Sequence, residues 1–275
     1  MLKPVALVPL FALSMPAAAQ DMVPATLAGH AALPAFSFSV PPADAPEEAW
    51  ISGRFTAGTA PVNTPQSLEA NGLMRPFFGQ PIQGFSAFAH TRDPDGAIYA
   101  LIDNGFGSRA NSSDALLSFT RLAPDFDTGS VELLERIWLR DPDRKVPFRI
   151  VHEATEARYL TGADFDPESI QILGDRVYIG EEFGPFMITA TRDGVILDVQ
   201  ETRLGEETLR SPDHPALRIP AEAGADWRVP RSRGFEGMAM TPDGAMLWAM
   251  LEGPILDAEG NSEDGVVRVL GYDPT

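Results

Sequence analysis

Residues 166–182 read DPESIQILGDRVYIGEE, which is an apolar run, a Gly-Asp turn and a second apolar run that ends in two glutamates. Alternating apolar residues on both sides of a short turn are typical of a β-hairpin. Residues 84–105 and 234–253 have the same organisation, with turns at Asp95-Gly96 and Asp243-Gly244. The chain therefore contains three related units, each made of a strand, a tight turn, a second strand and an acidic exit.

Each unit continues into further alternating runs. Third strands are predicted at Leu116–Leu122, Phe186–Thr191 and Val266–Tyr272, and fourth strands at Val131–Leu139 and Val195–Val199. This pattern predicts an all-β fold, a β-propeller of four-stranded antiparallel blades, with blade-like units near 84–140, 166–203 and 234–275. Because the third unit reaches Thr275 without a fourth strand, we expect an incomplete or open propeller whose C-terminal portion is missing.

The composition excludes several classes of protein. The 275 residues include 21 lysines and arginines against 39 aspartates and glutamates, which gives a net charge of −18. A chain this acidic repels nucleic-acid phosphates and anionic lipids, so neither is expected as a partner. The chain has no cysteine, which excludes thiol catalysis, cysteine-bound zinc and iron–sulfur clusters. Any catalysis must therefore use oxygen or imidazole groups.

The N-terminus has the features of a secretory signal peptide over residues 1–19. Lys3 is positively charged, Val5 to Met15 is apolar, and Ala17-Ala18-Ala19 is a small-residue cleavage site. A membrane anchor is the alternative, but it needs roughly 20 unbroken apolar residues. We expect a periplasmic or secreted protein with no membrane contact after cleavage. The predicted domains of the mature chain are a Pro/Ala-rich lead-in with short strands at 20–82 and the propeller domain at 83–275.

Acidic residues fall at corresponding places in the three units. At the start of the first strand lie Ser86, Glu168 and Glu236, and just after the second strand lie Asp103, Glu181 or Glu182, and Glu252. Inner strands of a propeller line a central channel, so these positions should converge, and converging carboxylates repel unless a cation compensates. Calcium is the expected cofactor because it binds six to eight oxygen ligands with flexible geometry. The predicted metal ligands are Asp103, Glu168, Glu181, Glu236 and Glu252. The alternative is that these acids cap turns or pair with Arg176, Arg231 and Arg233.

Other catalytic motifs are missing from the sequence. Residues 84–88, GFSAF, lack the second glycine of a nucleophile elbow. His152-Glu153 is not followed by the second histidine of a zinc-protease motif. His152 is still a candidate acid or base, because it lies beside Glu153 in a long loop. Arg231-Ser-Arg233 is a candidate for binding an anionic group.

Longer motifs relate the chain to a known family. They are TGADFDPESI at 161–170, IGEEFGP at 179–185 and GFEGMAMTPDG at 234–244, together with QGFS at 83–86 and DNGFGSRAN at 103–111. In these motifs the sequence resembles the bacterial phytase-like family, also described as esterase-like activity of phytase proteins. The resemblance covers roughly residues 83–275.

The resemblance implies a secreted β-propeller related to calcium-dependent phytases. It would then be a hydrolase whose partner is a small-molecule ester or phosphoester substrate. Glu182, His152 and Arg233 are the candidate catalytic residues, with Arg233 orienting the anion, while calcium binds the ester and lowers the pKa of the attacking water. Two alternatives stay open, a non-catalytic calcium-stabilised binding module and a lactonase-like propeller hydrolase.

Overall fold

A computed structural model describes residues 24–58, 60–66, 72–217 and 227–274, so the predicted signal peptide lies outside the described residues. Within these ranges the chain is all-β apart from two short 3₁₀-helices, Glu47–Trp50 and Arg109–Asn111. Neither is long and apolar enough to cross a membrane. The strands are β1 (Phe38–Ser39), β2 (Ile51–Ser52), β3 (Phe77–Phe78), β4 (Gln80–Pro81), β5 (Phe85–Arg92), β6 (Ile98–Ile102), β7 (Ser118–Asp125), β8 (Ser130–Trp138), β9 (Pro167–Leu173), β10 (Arg176–Glu181), β11 (Phe186–Thr191), β12 (Ile196–Glu201), β13 (Arg203–Leu204), β14 (Glu207–Thr208), β15 (Phe235–Met240), β16 (Leu247–Leu251) and β17 (Val269–Tyr272).

Three antiparallel sheets contain the long strands. Sheet 1 has the order β5-β6-β7-β8, sheet 2 the order β9-β10-β11-β12, and sheet 3 the order β15-β16-β17. In each sheet the strands that follow one another in the chain are also neighbours in space. The predicted all-β fold with four-stranded antiparallel sheets is confirmed, and in the described ranges the third unit has three strands.

The turns between the first two strands of sheets 1 and 3 follow from their Asp-Gly sequence. Gly96 and Gly244 have φ angles of +84° and +71°, a region that residues with a Cβ atom rarely adopt. The aspartate before each glycine accepts a hydrogen bond on Oδ1 from the backbone N–H two residues further on, at 3.1 Å in both turns. This side-chain bond stabilises the turn locally.

Sheet 2 lies between the other two sheets and shares an apolar core with each of them. Buried side chains of sheets 1 and 2 pack together, among them Leu101, Phe119, Ile170 and Ile179. Sheets 2 and 3 meet through another buried group that includes Tyr178, Met187, Phe235 and Leu247. Burial of each such side chain contributes about 1.5–3 kcal/mol, so the sheets are held at fixed positions relative to one another.

The first strands of the three sheets, β5, β9 and β15, contact one another. Gln171 on β9 links all three, because its Oε1 accepts a hydrogen bond from His90 N on β5 at 3.3 Å and its Nε2 donates to Met238 O on β15 at 2.9 Å. Residues at the start of these strands are therefore brought close together.

The lead-in packs against sheet 1. Gln80 accepts a hydrogen bond from Leu116 N at 2.9 Å and donates to the carbonyls of Ala49 and Asp114. Arg136 on β8 donates to Gln80 O at 2.9 Å. The lead-in thus packs against sheet 1 at β8 and at the segment before β7.

Candidate functional site

Five carboxylates converge near the start of the first strands of sheets 2 and 3, β9 and β15. We call this group the acidic cluster, and it consists of Asp166, Glu168, Glu182, Glu236 and Glu252. One oxygen from each of Asp166, Glu168 and Glu182 lies within 4.8 Å of the other two, and the same holds for Glu182, Glu236 and Glu252. Glu182 belongs to both sets, so the five carboxylates form one continuous group.

One backbone hydrogen bond places the acid that follows the second strand of each sheet. Its N–H donates to the carbonyl of the residue just before the first strand. These bonds join Asp103 to Gly84 (3.0 Å), Glu182 to Asp166 (3.0 Å) and Glu252 to Gly234 (2.9 Å). The three acids are therefore structurally equivalent, and the residue equivalent to Asp103 and Glu252 in the second unit is Glu182.

The carboxylate of Glu181 binds backbone N–H groups instead of joining the acidic cluster. Its carboxylate is fully buried and accepts backbone N–H bonds from Phe183 (2.9 Å), Gly184 (2.7 Å) and Phe186 (2.7 Å), with a longer one from Asp166 (3.4 Å). It belongs to neither set of converging oxygens among the described residues. Glu181 was predicted as a ligand and Glu182 as a catalytic residue. Because the oxygens of Glu181 accept hydrogen bonds from the loop after β10, we propose Glu182 as the ligand in its place.

Asp103 lies beside the acidic cluster. After burial, its charge is the largest cause that raises the pKa of Asp166. Asp103 itself accepts a hydrogen bond from Gly105 N at 2.7 Å. The next residue, Asn104, donates from Nδ2 to Asp166 Oδ2 at 2.7 Å and from its backbone N to Oδ1 at 3.2 Å. Asn104 therefore fixes the orientation of Asp166.

The acidic cluster has far more negative than positive charge. Burial raises the pKa of Glu182 to about 8, and the neighbouring carboxylates add to that rise. Burial and the charge of Asp166 likewise raise the pKa of Glu168. Arg233 contacts the cluster through Glu252, with Nη1 2.5 Å from Oε1. A set of five carboxylates with one guanidinium in contact fits a hard divalent cation that prefers oxygen ligands.

These raised pKa values predict how stability depends on pH. Without divalent ions, we expect the melting temperature to fall as the pH rises from about 5.5 to about 8.5. Glu168 and Glu182 hold protons in the folded state that the unfolded chain has already released, so their stabilising contribution is present at low pH and is lost as the pH passes the raised pKa values. Calorimetry in EDTA measures this slope. A melting temperature that stays level or rises over this range would contradict it.

The other predicted site residues divide into two groups. Glu168, Glu236 and Glu252 are in the acidic cluster, and Arg233 contacts it. His152 is buried, and burial lowers its pKa while Glu48 acts in the opposite direction. Within the described part of the chain, His152 forms no hydrogen bond or ion pair with the acidic cluster.

Both arginines of the predicted anion-binding segment Arg231-Ser-Arg233 form ion pairs with acidic side chains. Arg231 forms an ion pair with Asp213, and Arg233 forms one with Glu252. The alternative to metal binding was that these acids pair with arginines. Among the five carboxylates of the acidic cluster, Glu252 forms such a pair.

Asp166 was not among the predicted ligands, although its spacing from Glu168 carries a signal. Residues two apart on an extended chain point to the same face, so a glutamate ligand at 168 places Asp166 beside it. The sequence DPE at 166–168 contains this information.

Comparisons with known proteins identify a family. The profile of the phytase-like family, described as esterase-like activity of phytase, matches residues 80–275. A search of curated proteins found no match.

Three solved structures are weakly similar. A candidate 6-phosphogluconolactonase from Bacteroides fragilis is 14% identical, with a TM-score of 0.33 over 82% of this chain and 54% of that one. One from Bacteroides uniformis is 16% identical, with a TM-score of 0.29 over 80% and 66%. The periplasmic gluconolactonase of Pseudomonas aeruginosa is 12% identical, with a TM-score of 0.31 over 82% and 68%. The chain thus spans about half to two thirds of the length of these proteins.

Proposed function

This chain belongs to the phytase-like family, and we propose that it is an ester hydrolase that works with a calcium ion bound at the acidic cluster. The observation that carries the proposal is the convergence of five carboxylates from two sheets beside Arg233. Without a cation, the negatively charged carboxylates of the cluster repel one another. All the atoms that the cluster offers to a metal ion are oxygens. Both properties favour binding of a divalent ion.

The proposed ligands are Asp166, Glu168, Glu182, Glu236 and Glu252. When bound, the calcium ion would polarise the ester and lower the pKa of a water molecule. The chain's own residues would hold this arrangement. Asn104 fixes Asp166, and the hydroxyl of Ser86 partly offsets the burial that raises the pKa of Glu168.

Arg233 is the residue proposed to orient an anionic substrate group. Its guanidinium is about half exposed and contacts Glu252. A guanidinium that keeps free N–H groups beside a carboxylate can donate to a substrate oxygen at the same time.

The proposal includes the wider interpretation of the fold. Sheets 1 to 3 would be blades of a β-propeller, since each is a meander of consecutive antiparallel strands and their first strands lie side by side. The signal-peptide pattern supports a periplasmic or secreted location.

Calcium titration with an ester panel tests the function. After EDTA treatment, CaCl₂ at about 100 times its dissociation constant should raise the melting temperature by about 5–10 °C. Calcium should also switch on cleavage of p-nitrophenyl phosphate or p-nitrophenyl acetate, whereas KCl of equal ionic strength should do neither.

Other results of the same titration would favour a competing function or reject the metal site. Stabilisation by calcium without cleavage of any ester would favour the binding module, and cleavage of lactones alone would favour the lactonase-like hydrolase. A melting temperature and an activity that both ignore calcium and EDTA would reject the metal site.

A further inference from the structure

A cavity of about 760 Å³ is lined in part by the loop after β10, which also carries Glu182 of the acidic cluster. Phe183 in its wall directly follows Glu182, and Ser232 directly precedes Arg233. Another part of the wall, residues 107–110, belongs to the loop that begins at Asp103. The volume is in the range of small-molecule pockets, about 300–1,000 Å³.

Apolar side chains form much of the wall. Phe55 comes from the lead-in, Ile150 and Val151 from the long connection between sheets 1 and 2, and Phe183 from the loop after β10. These three chain segments therefore build a surface that fits the apolar body of a ligand.

Arg109 gives this cavity a fixed positive charge. Its Nε donates to Ala163 O at 2.9 Å and its Nη1 to Asp213 O at 2.7 Å. Both acceptors are neutral carbonyls, so they fix the guanidinium without cancelling its charge.

Arg149 adds a second positive charge to the wall. Its side chain is exposed, and in the described part of the chain its guanidinium has no hydrogen bond or ion pair. The third arginine, Arg231, is paired with Asp213. Asp164 also lines the cavity, and its oxygens accept bonds from Val151 and Thr161. Burial raises the pKa of the Asp164 carboxyl to about 6, and the charge of Arg109 acts in the opposite direction.

We propose that this cavity binds an organic anion that has an apolar body and one terminal anionic group, a carboxylate or a phosphoryl group, held between Arg109 and Arg149. In a chain of net charge −18, two guanidiniums that form no ion pair within the described ranges are a local positive field that attracts such a group. One part of this inference rests on the proposed function. If the protein is an ester hydrolase, its substrates are esters that carry such an anionic group.

Calorimetric titration of the full chain tests the cavity directly. The probes are phenylacetate, benzylphosphonate and neutral benzyl alcohol, which share an aromatic body and differ in the end group. Both anions should bind one to one, and benzyl alcohol should bind at least about tenfold more weakly. Binding of phenylacetate should persist in EDTA, because the arginines rather than the metal hold it.

Arg149→Gln is the main variant, because this exposed side chain forms no hydrogen bond or ion pair with any described residue. It should weaken both anions at least about tenfold, and Arg109→Lys should weaken them as well. Arg176→Gln is the matched control, since Arg176 is exposed at the far end of β10 from Glu181. It should bind like the wild type. Equal affinity of Arg149→Gln and wild type, loss of phenylacetate binding in EDTA, or no binding of either anion at millimolar concentration would overturn the proposal.

The two proposals can fail separately. If the anions bind in an Arg149-dependent way and no ester is cleaved, the cavity assignment stands and the hydrolase fails. If esters are cleaved with calcium but the preference for anionic esters does not depend on Arg149, the cavity assignment fails and the hydrolase stands.

Discussion

Replacing Glu181 with alanine is expected to lower the free energy of unfolding by about 4 kcal/mol or more. The substitution removes the acceptor for three short backbone N–H bonds and one longer one in a fully buried site. Each buried donor left without a partner costs about 1–3 kcal/mol. Because the loop after β10 also carries Glu182, the same variant should bind calcium more weakly.

Urea denaturation of Glu181→Ala and of Glu206→Ala measures the effect. Glu206 is an exposed glutamate in the turn between β13 and β14, and its substitution should change stability by less than about 0.5 kcal/mol. If the two variants unfold at the same urea concentration, the structural role given to Glu181 is wrong.

Replacing Glu182 with glutamine should change stability in opposite directions with and without calcium. In EDTA at pH 8.5, loss of one charge from the crowded carboxylates should raise the free energy of unfolding by about 1–3 kcal/mol. With calcium, the wild type gains stability and the variant should gain little, because Glu182 supplies an oxygen to both sets of converging ligands. Activity should fall at least about 100-fold.

This reversal of the stability difference between Glu182→Gln and the wild type distinguishes a metal ligand from a residue that only supports the fold. A structural residue would lose stability in both conditions, whereas Glu206→Gln should follow the wild type in both. Melting curves at fixed pH with EDTA or CaCl₂ give the comparison. A Glu182→Gln variant with a full calcium response would exclude this residue as a ligand.

The strands were predictable because their signals are local. Alternating apolar residues and the Asp-Gly turns at Gly96 and Gly244 need only a few neighbouring residues. The equivalence of Glu168 and Glu236 was predictable for the same reason, since both lie one residue into the first strand of a repeated unit.

Other parts of the site depend on contacts between distant segments. The sequence left Glu181 and Glu182 as alternatives, and the hydrogen bond from Glu182 N to Asp166 O distinguishes them. Arg149 and Arg109 approach one cavity from segments forty residues apart. No local pattern of residues reports such an approach.

The repeated backbone bond at the hairpin exits has an evolutionary consequence. Since the same main-chain hydrogen bond places the backbone of Asp103, Glu182 and Glu252, a mutation that exchanges the side chain there leaves this bond intact. Repeated hairpins of this kind therefore provide equivalent backbone positions near one point, and each position accepts different side chains. A lineage could then acquire a new ion preference or a new reaction by single substitutions, without first finding a new fold.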